Sequence, residues 1–405
     1  MAESRKQVAW VELYLDLVFV LAIAELTRNI VSDPRLSTVF GTLGLFVAIW
    51  WTWVGFAVLY NRHGSDHLAQ RTIFLIASVP IAVAAVATGA ASHGDPKMFA
   101  LALAVTRMLL AAAYTHDDNP QSNVGDPLRR RTAQAYAISA ALFLTTIWTP
   151  SPFRYVIWAL ALAFESRVIF SDDRTADRTV DVEKQGHGTH QRDEADALDA
   201  HHFAERFGLF LIILLGELVI QAGEAAGDLH VHSASGWGAL IAAVTLSGAL
   251  WWAYFSGADE IELRTLELSG GSPKTARVLF AVGHMLPAFA LLMIAAGAGL
   301  LLRHDPPRLA FALTCIGAGI YLGGVRGAMR PRRKRDRVAQ TILIGATFAF
   351  GTLRHLLGPH SYLWALAAWT MAIAIYVPRS APKPPPAESG VTPGTAKTIG
   401  SAATR

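Results

Sequence analysis

Residues 71–91, RTIFLIASVPIAVAAVATGAA, contain no charged side chain after Arg71. An α-helix needs roughly 20 mostly apolar residues to cross the hydrocarbon core of a bilayer, and this stretch supplies them. Only 16% of the chain is charged and 53% is hydrophobic, whereas about a quarter of a typical soluble domain is charged. The stretch therefore predicts a helix that crosses a membrane.

Similar apolar stretches recur along the whole chain. They predict an all-α, polytopic membrane protein with about 12 transmembrane helices. The predicted spans are 8–30, 37–60, 71–91, 97–114, 132–149, 153–170, 203–224, 236–256, 275–302, 307–324, 338–357 and 361–378. The lipid bilayer is then the main partner of this protein, and no nucleic-acid partner is expected although the net charge is +4.

The basic residues lie mostly in the connections on one side of these spans. Clusters at Arg129–Arg131 and at 330–337 fall on the side that also carries both chain ends. Because cytoplasmic loops are enriched in Lys and Arg, we expect both termini to be cytoplasmic in a multi-pass protein of the cell membrane.

The two halves of the chain resemble each other. Trp50-Trp51 recurs as Trp251-Trp252, and four further matches follow in the same order, among them Trp158-Ala-Leu-Ala161 with Trp364-Ala-Leu-Ala367. Six spans per half is an even number, so both halves enter the membrane from the same side. The pattern predicts two parallel six-helix repeats, with any site between them near a pseudo-two-fold axis along the membrane normal.

The spans and connections give a domain organisation in four parts. It comprises a first six-helix half (1–170), a hydrophilic cytoplasmic linker (171–202), a second six-helix half (203–380) and a disordered cytoplasmic tail (381–405).

Charged side chains inside these spans are the candidate functional residues, because a charge at mid-bilayer is costly and rarely lacks a role. Glu12 and Asp16 are four residues apart and share one face of the first helix, so a proton or a nearby cation must offset their repulsion. The proposed substrate-binding or ion-binding residues are Glu12, Asp16, Arg107, Glu205, Arg206 and Glu217, with Glu165, Arg167 and His202 as secondary candidates.

The repeat suggests how these charges are arranged. It aligns Glu205 with Glu12, whereas Arg107 aligns with Gly317, so the site is expected to be asymmetric. Arg107, Glu165 and Arg167 are possible counter-charges. A purely structural alternative holds for Glu12 and Glu205, which lie near helix ends and could stabilise the helix dipole or reach the interface.

Two motifs resemble those of a known family. Glu12-Leu13-Tyr14-x-Asp16-Leu17-Val18-Phe19-Val20 and His202-x-x-Glu205-Arg206-Phe207-Gly208-Leu209, followed by Leu215-Gly216-Glu217, are similar to signatures of the bacterial low temperature requirement protein A family. Leu15 departs from the small or aromatic residue expected there. The resemblance covers residues 8 to 378 and implies a bacterial membrane protein, but this family has no settled biochemical activity.

The leading functional hypothesis is a proton-coupled secondary transporter of a small solute or ion. It rests on the repeat, the buried acids and the lack of a catalytic, ATP-binding or dinucleotide-binding motif, so neither cofactor nor metal is expected. A cation or proton channel is the first alternative, and a membrane enzyme acting on lipid is the second. A receptor or scaffold remains a further alternative. Substrate and oligomeric state are left open.

Overall fold

The computed structural model describes residues 9–63, 68–115, 127–170, 200–228, 234–257, 273–303, 305–327 and 334–376. All regular structure in these ranges is helical, which confirms the all-α prediction. The first six helices are α1 (Trp10–Ser32), α2 (Leu36–His63), α3 (Leu68–Ser92), α4 (Lys97–Thr115), α5 (Pro127–Thr145) and α6 (Phe153–Phe170). The next six are α7 (Ala200–Asp228), α8 (Ala234–Phe255), α9 (Pro273–Leu301), α10 (Arg308–Gly324), α11 (Lys334–Ala349) and α12 (Pro359–Tyr376).

Each of these helices corresponds to one predicted span. Five of them, α2, α3, α4, α8 and α9, are long and apolar enough to cross a membrane by length and composition. The others are shorter or carry charged side chains. The predicted boundary between linker and second half shifts, since residues 200–202 of the predicted linker are already helical. The predicted tail and residues 171–199 of the linker lie outside the described residues.

The helices differ in how deeply they are packed. In α2, 83% of the most apolar segment is buried inside the protein, whereas only 44% is buried in α3 and in α8. Large apolar side chains such as Val79, Val86 and Ile241 remain more than half exposed. Because exposed apolar surface of this extent is stable in lipid, α2 is a central helix and α3 and α8 are peripheral helices that face the bilayer.

Helix packing follows a similar order in the two halves. In the first half α1 packs on α3, α3 on α4 and α4 on α5; in the second, α7 packs on α9, α9 on α10 and α10 on α11. The halves also differ, since α12 packs extensively on α8 whereas α6 touches α2 only slightly. Contacts between the halves run mainly from α1 and α2 to α7 and α9, so these four helices position any site on the central axis.

Two glycines show where helices approach closely in both halves. Asn29 of α1 lies against Gly89 of α3, with its Oδ1 3.7 Å from the position of a Cβ at Gly89. Gln221 of α7 lies against Gly299 of α9, with its Oε1 3.4 Å from the corresponding position. An amide side chain near the end of the first helix of each half thus packs on a glycine of the third helix.

Gly317 on α10 allows α10 to approach α9. A Cβ at this position would lie 2.8 Å from Cγ1 of Ile294 and 2.9 Å from the backbone oxygen of Ala290. The predicted repeat aligns Gly317 with Arg107, whose side chain reaches to α6. The two aligned residues therefore have different roles, close helix packing for the glycine and an ion pair for the arginine.

We expect Gly317→Ala to destabilise the protein by about 1–3 kcal/mol, because the new methyl group would overlap a backbone oxygen that cannot move without shifting α9. Gly283→Ala is the matched control, since no atom lies within 4 Å of a Cβ at that helical position. Reversible unfolding in detergent micelles measures both variants. Equal stability of the two variants would contradict the described packing of α9 and α10.

Candidate functional site

A cluster of ionisable side chains and their hydrogen-bond partners, the ion cluster, joins α1, α2 and α7 and consists of Glu12, Asp16, Trp53, Asn61, His202 and Arg206. At its centre, Nη1 of Arg206 donates to Oε1 of Glu12 over 2.6 Å, and Nη2 donates to Oδ1 of Asp16 over 3.1 Å. All three charged side chains are completely buried. The guanidinium therefore supplies the counter-charge that the spacing of Glu12 and Asp16 required, and it comes from the other half of the chain.

His202 extends the cluster one helical turn before Arg206. Its Nε2 lies 3.1 Å from Oε2 of Glu12, and its Nδ1 lies 3.3 Å from Nδ2 of Asn61. An amide nitrogen can only donate, so in this arrangement Nδ1 accepts and Nε2–H donates to Glu12. The backbone N–H of Ala9 also donates to Oε2 of Glu12 over 3.1 Å, which places this carboxylate at the first turn of α1.

Trp53 of α2 covers the other side of the cluster. Its Nε1–H donates to Oδ1 of Asp16 over 2.7 Å, and its ring centroid lies 5.6 Å from Cζ of Arg206. Oδ1 of Asp16 thus accepts two hydrogen bonds, one from the indole of Trp53 and one from the guanidinium of Arg206. The indole fixes the Asp16 carboxylate and presents an aromatic face to the guanidinium.

Replacing Trp53 with phenylalanine should destabilise the protein by about 1.5–3 kcal/mol, since it removes a buried hydrogen bond to a charged acceptor. Trp158→Phe is the control, because Nε1 of this buried indole donates to the neutral hydroxyl of Thr146 over 2.9 Å. That loss should cost only about 1 kcal/mol. Unfolding of both variants in the same detergent compares them, and a larger loss for Trp158→Phe would contradict a charged Asp16 carboxylate.

The charges of the ion cluster do not balance. Glu12 and Asp16 contribute two negative charges and Arg206 contributes one positive charge, while His202 adds a second positive charge only when it is protonated. Within the described part of the chain, Oδ2 of Asp16 and Nε of Arg206 are buried and have no hydrogen-bond partner. A single added proton would bring the net charge of the group to zero, so this site can take up a proton without binding a further ion.

An aromatic layer, formed by Phe46, Trp50, Phe207, Phe210, Phe280 and Phe289, lies beside the ion cluster. The Trp50 and Phe207 ring centroids are 5.8 Å apart, and those of Phe46 and Phe289 are 5.3 Å apart. Nε1 of Trp50 donates to the backbone oxygen of Ala281 over 3.0 Å. Because these contacts connect α2 with α7 and α9, the layer joins the two halves beside the ion cluster.

Arg107 and Glu165 form a second buried ion pair, which lies within the first half. Nε of Arg107 donates to Oε1 of Glu165 over 2.6 Å and lies 3.1 Å from Oγ of Ser139, while Nη1 is 3.3 Å from Oγ1 of Thr52. The guanidinium also stacks on the Phe143 ring at 4.1 Å. The two side chains neutralise each other, so neither is the counter-charge of Glu12 or Asp16.

The remaining sequence-predicted residues lie apart from the ion cluster. Glu205 is exposed, because adjacent residues on a helix point about 100° apart and Arg206 occupies the inward direction. Arg167 is exposed on α6. Glu217 is buried, but it lies about 16 Å beyond Arg206 along α7. The alignment of Glu205 with Glu12 therefore does not bring these two carboxylates together.

Trp53 and Asn61 were not identified from the sequence as site residues. Trp53 belongs to a tryptophan-rich segment that reads as packing or interfacial anchoring, and no spacing rule links α2 to α7. Asn61 offered a weak signal, since an amide near the end of an otherwise apolar span is unusual. Among the described residues, no group of three or more His, Cys, Asp or Glu side chains could hold a metal ion.

Fold and site together define a polytopic helical membrane protein whose two halves meet at a buried, ion-paired cluster. The chain belongs to the bacterial low temperature requirement A protein (LtrA) family, whose model matches residues 7–377, and this confirms the resemblance seen in the two motifs. A similar protein is an uncharacterised protein of Rhizobium meliloti (strain 1021), 27% identical over 333 residues that cover 81% of this chain and 77% of that protein. No solved structure matches the chain.

Proposed function

We propose that this protein is a secondary transporter that couples movement of a small solute or ion to protons, with the ion cluster as the coupling site. The observation that carries the proposal is the pair of buried carboxylates that share one guanidinium across the interface between the halves. A site with one uncompensated charge changes its net charge when it binds a proton. Because the ion cluster lies between the two halves of the chain, its protonation can change how the halves pack against each other.

We also propose that the two halves are parallel repeats and that both termini are cytoplasmic. The repeated packing order, and the amide–glycine contacts of Asn29 and Gln221, support the repeat. The distribution of Lys and Arg supports the orientation. In this orientation the ion cluster belongs to the cytoplasmic half of the membrane, because Glu12 lies in the first turn of α1.

Complete burial of the ion cluster favours a transporter over a channel. The charged side chains are not exposed, and an aromatic layer packs beside them. A channel requires a continuous wetted path past its polar groups, whereas a transporter alternates between occluded and open states. The described conformation corresponds to an occluded state in this scheme.

Reconstitution in liposomes that contain a pH-sensitive dye tests the proposal. A membrane potential is imposed across liposomes that contain the purified protein, with and without each member of a panel of solutes. Internal pH changes that one solute stimulates and that saturate with its concentration indicate coupled transport. Proton flux that needs no solute would favour the channel, and the absence of any flux across a broad panel would favour an enzyme or a sensor instead.

A further inference from the structure

Among the described residues, Glu217 is a buried acidic side chain without an ion pair. It is only 1% exposed, and Nε2 of Gln221 donates to its Oε1 over 2.9 Å. Its other oxygen, Oε2, is buried and has no hydrogen-bond partner among the described residues. A buried carboxylate with an unused oxygen is costly, because its negative charge is neither hydrated nor fully paired.

The surroundings of Glu217 are polar but give it no ion pair. The charges that act on it are those of Glu224 on its own helix and of Arg28 and Glu25 on α1. Arg28 forms its ion pair with Glu25 instead. Gln221 also donates to Oε2 of Glu224 over 3.4 Å, so the same amide connects the buried carboxyl to an exposed one.

The other helices packed on α7 supply no further charge here. In the parts of α2, α8 and α9 whose side chains are described, the titratable residues are Tyr60, Tyr254 and His284. Tyr60 stacks on the imidazole of the ion cluster. Tyr254 and His284 hydrogen-bond to each other over 3.0 Å, and His284 contacts Phe207, next to the arginine of the cluster. They therefore lie near the ion cluster and away from Glu217.

We propose that Glu217 binds and exchanges a proton, forming a second proton site deeper in the bundle than the ion cluster, about 16 Å farther along α7. A proton is the cation that a single carboxyl with one amide partner can hold, since Ca²⁺ needs six to eight oxygen ligands and Mg²⁺ needs six. The Gln221 amide and the exposed Glu224 carboxylate give this proton a polar route to the surface. The role of this site in a transport cycle rests on the proposed function.

Apolar side chains separate the two acidic sites. Phe19 and Ile23 of α1 and Leu211 and Leu214 of α7 are all buried between them. Asp16 and Glu25 lie about 14 Å apart along α1, so no direct hydrogen bond links the two ends. The ion cluster and Glu217 are thus two separate acidic sites in this conformation.

Infrared spectroscopy of the protein in lipid, at neutral pH, tests this site without any transport assay. The carbonyl stretch of a protonated carboxyl lies above the amide band and shifts down when its proton is replaced by deuterium. We expect such a band in the wild type, a shift in D₂O, and loss of the band in Glu217→Gln. Glu205→Gln, the same substitution on the same helix at an exposed position outside both acidic sites, should keep the band.

Failure of this inference can be told from failure of the proposed function. Asp16→Asn should retain the Glu217 band, so its presence does not depend on working transport. A wild-type protein that shows the exchanging band but no flux would sustain the second site and contradict the transporter. Absence of a band attributable to Glu217 in folded protein, or a band that does not shift in D₂O, would overturn the inference.

Discussion

Replacing Arg206 with glutamine is expected to lower the free energy of unfolding by about 3–5 kcal/mol, the usual cost of removing one partner from a buried ion pair. The variant would leave Glu12 and Asp16 buried, close together and without a cation. Both carboxylates now accept hydrogen bonds from the same guanidinium, at 2.6 Å and 3.1 Å. Reversible unfolding in detergent micelles, followed by circular dichroism, measures the loss.

Arg35→Gln is the matched control for this change. Arg35 pairs with Asp33 over 2.9 Å, but its side chain is 76% exposed, so the substitution should cost less than about 1 kcal/mol. Combining Arg206→Gln with Glu12→Gln and Asp16→Asn removes every charge of the trio and should recover much of the stability. Equal effects of the Arg206 and Arg35 substitutions would show that the buried network does not hold the halves together.

The second large effect is expected for Asp16→Asn, which should abolish proton movement while leaving the protein folded. The asparagine Oδ1 can still accept from Nε1 of Trp53 and from Nη2 of Arg206, the two bonds that Asp16 makes. The trio then contains one negative and one positive charge, which is the charge of the proton-bound wild type. We therefore expect solute exchange across the membrane to persist, while net transport driven by protons falls to the level of empty liposomes.

Persistence of exchange separates this effect from simple damage to the site. Exchange is measured with labelled solute on one side and unlabelled solute on the other, with no proton gradient. A protein that loses exchange as well as proton movement would indicate that Asp16 binds the solute or holds the fold. Continued proton-driven transport in Asp16→Asn would show that this carboxyl is not the coupling group.

The helices follow from the sequence because the bilayer imposes a simple physical rule. A span must be long and apolar, and every stretch that met this rule corresponds to a helix. The shared face of Glu12 and Asp16 also follows, since i and i+4 residues are neighbours on any α-helix. Their need for a cation could be stated from charge alone.

The partner of these carboxylates could not be chosen from the sequence. Glu205 and Arg206 are adjacent, and which of them points inward depends on the rotation of α7 about its axis, which is set by packing against α1 and α9. Arg107 was expected as a possible counter-charge for the acids of α1 and α7. It pairs with Glu165 instead, because α4, α5 and α6 pack together within the first half.

Contacts between helices that are far apart along the chain account for the site residues that were not predicted from the sequence. The hydrogen bonds of Trp53 to Asp16 and of Asn61 to His202 connect residues far apart along the chain. Helical periodicity describes each helix separately and contains no information on which helices become neighbours. The alignment of Arg107 with Gly317 led to the prediction of an asymmetric site around the first half, but Arg107 pairs with Glu165 outside the ion cluster, and Gly317 serves close helix packing.

The most direct test of the account compares solute-stimulated proton uptake in liposomes for the wild type, Asp16→Asn and Glu205→Gln. Each substitution removes one carboxylate, but Glu205 is exposed on α7 and lies outside both acidic sites. We predict saturable uptake with one class of solute in the wild type and in Glu205→Gln, and none in Asp16→Asn. Equal uptake in all three proteins would contradict the assignment of the ion cluster as the site of proton coupling.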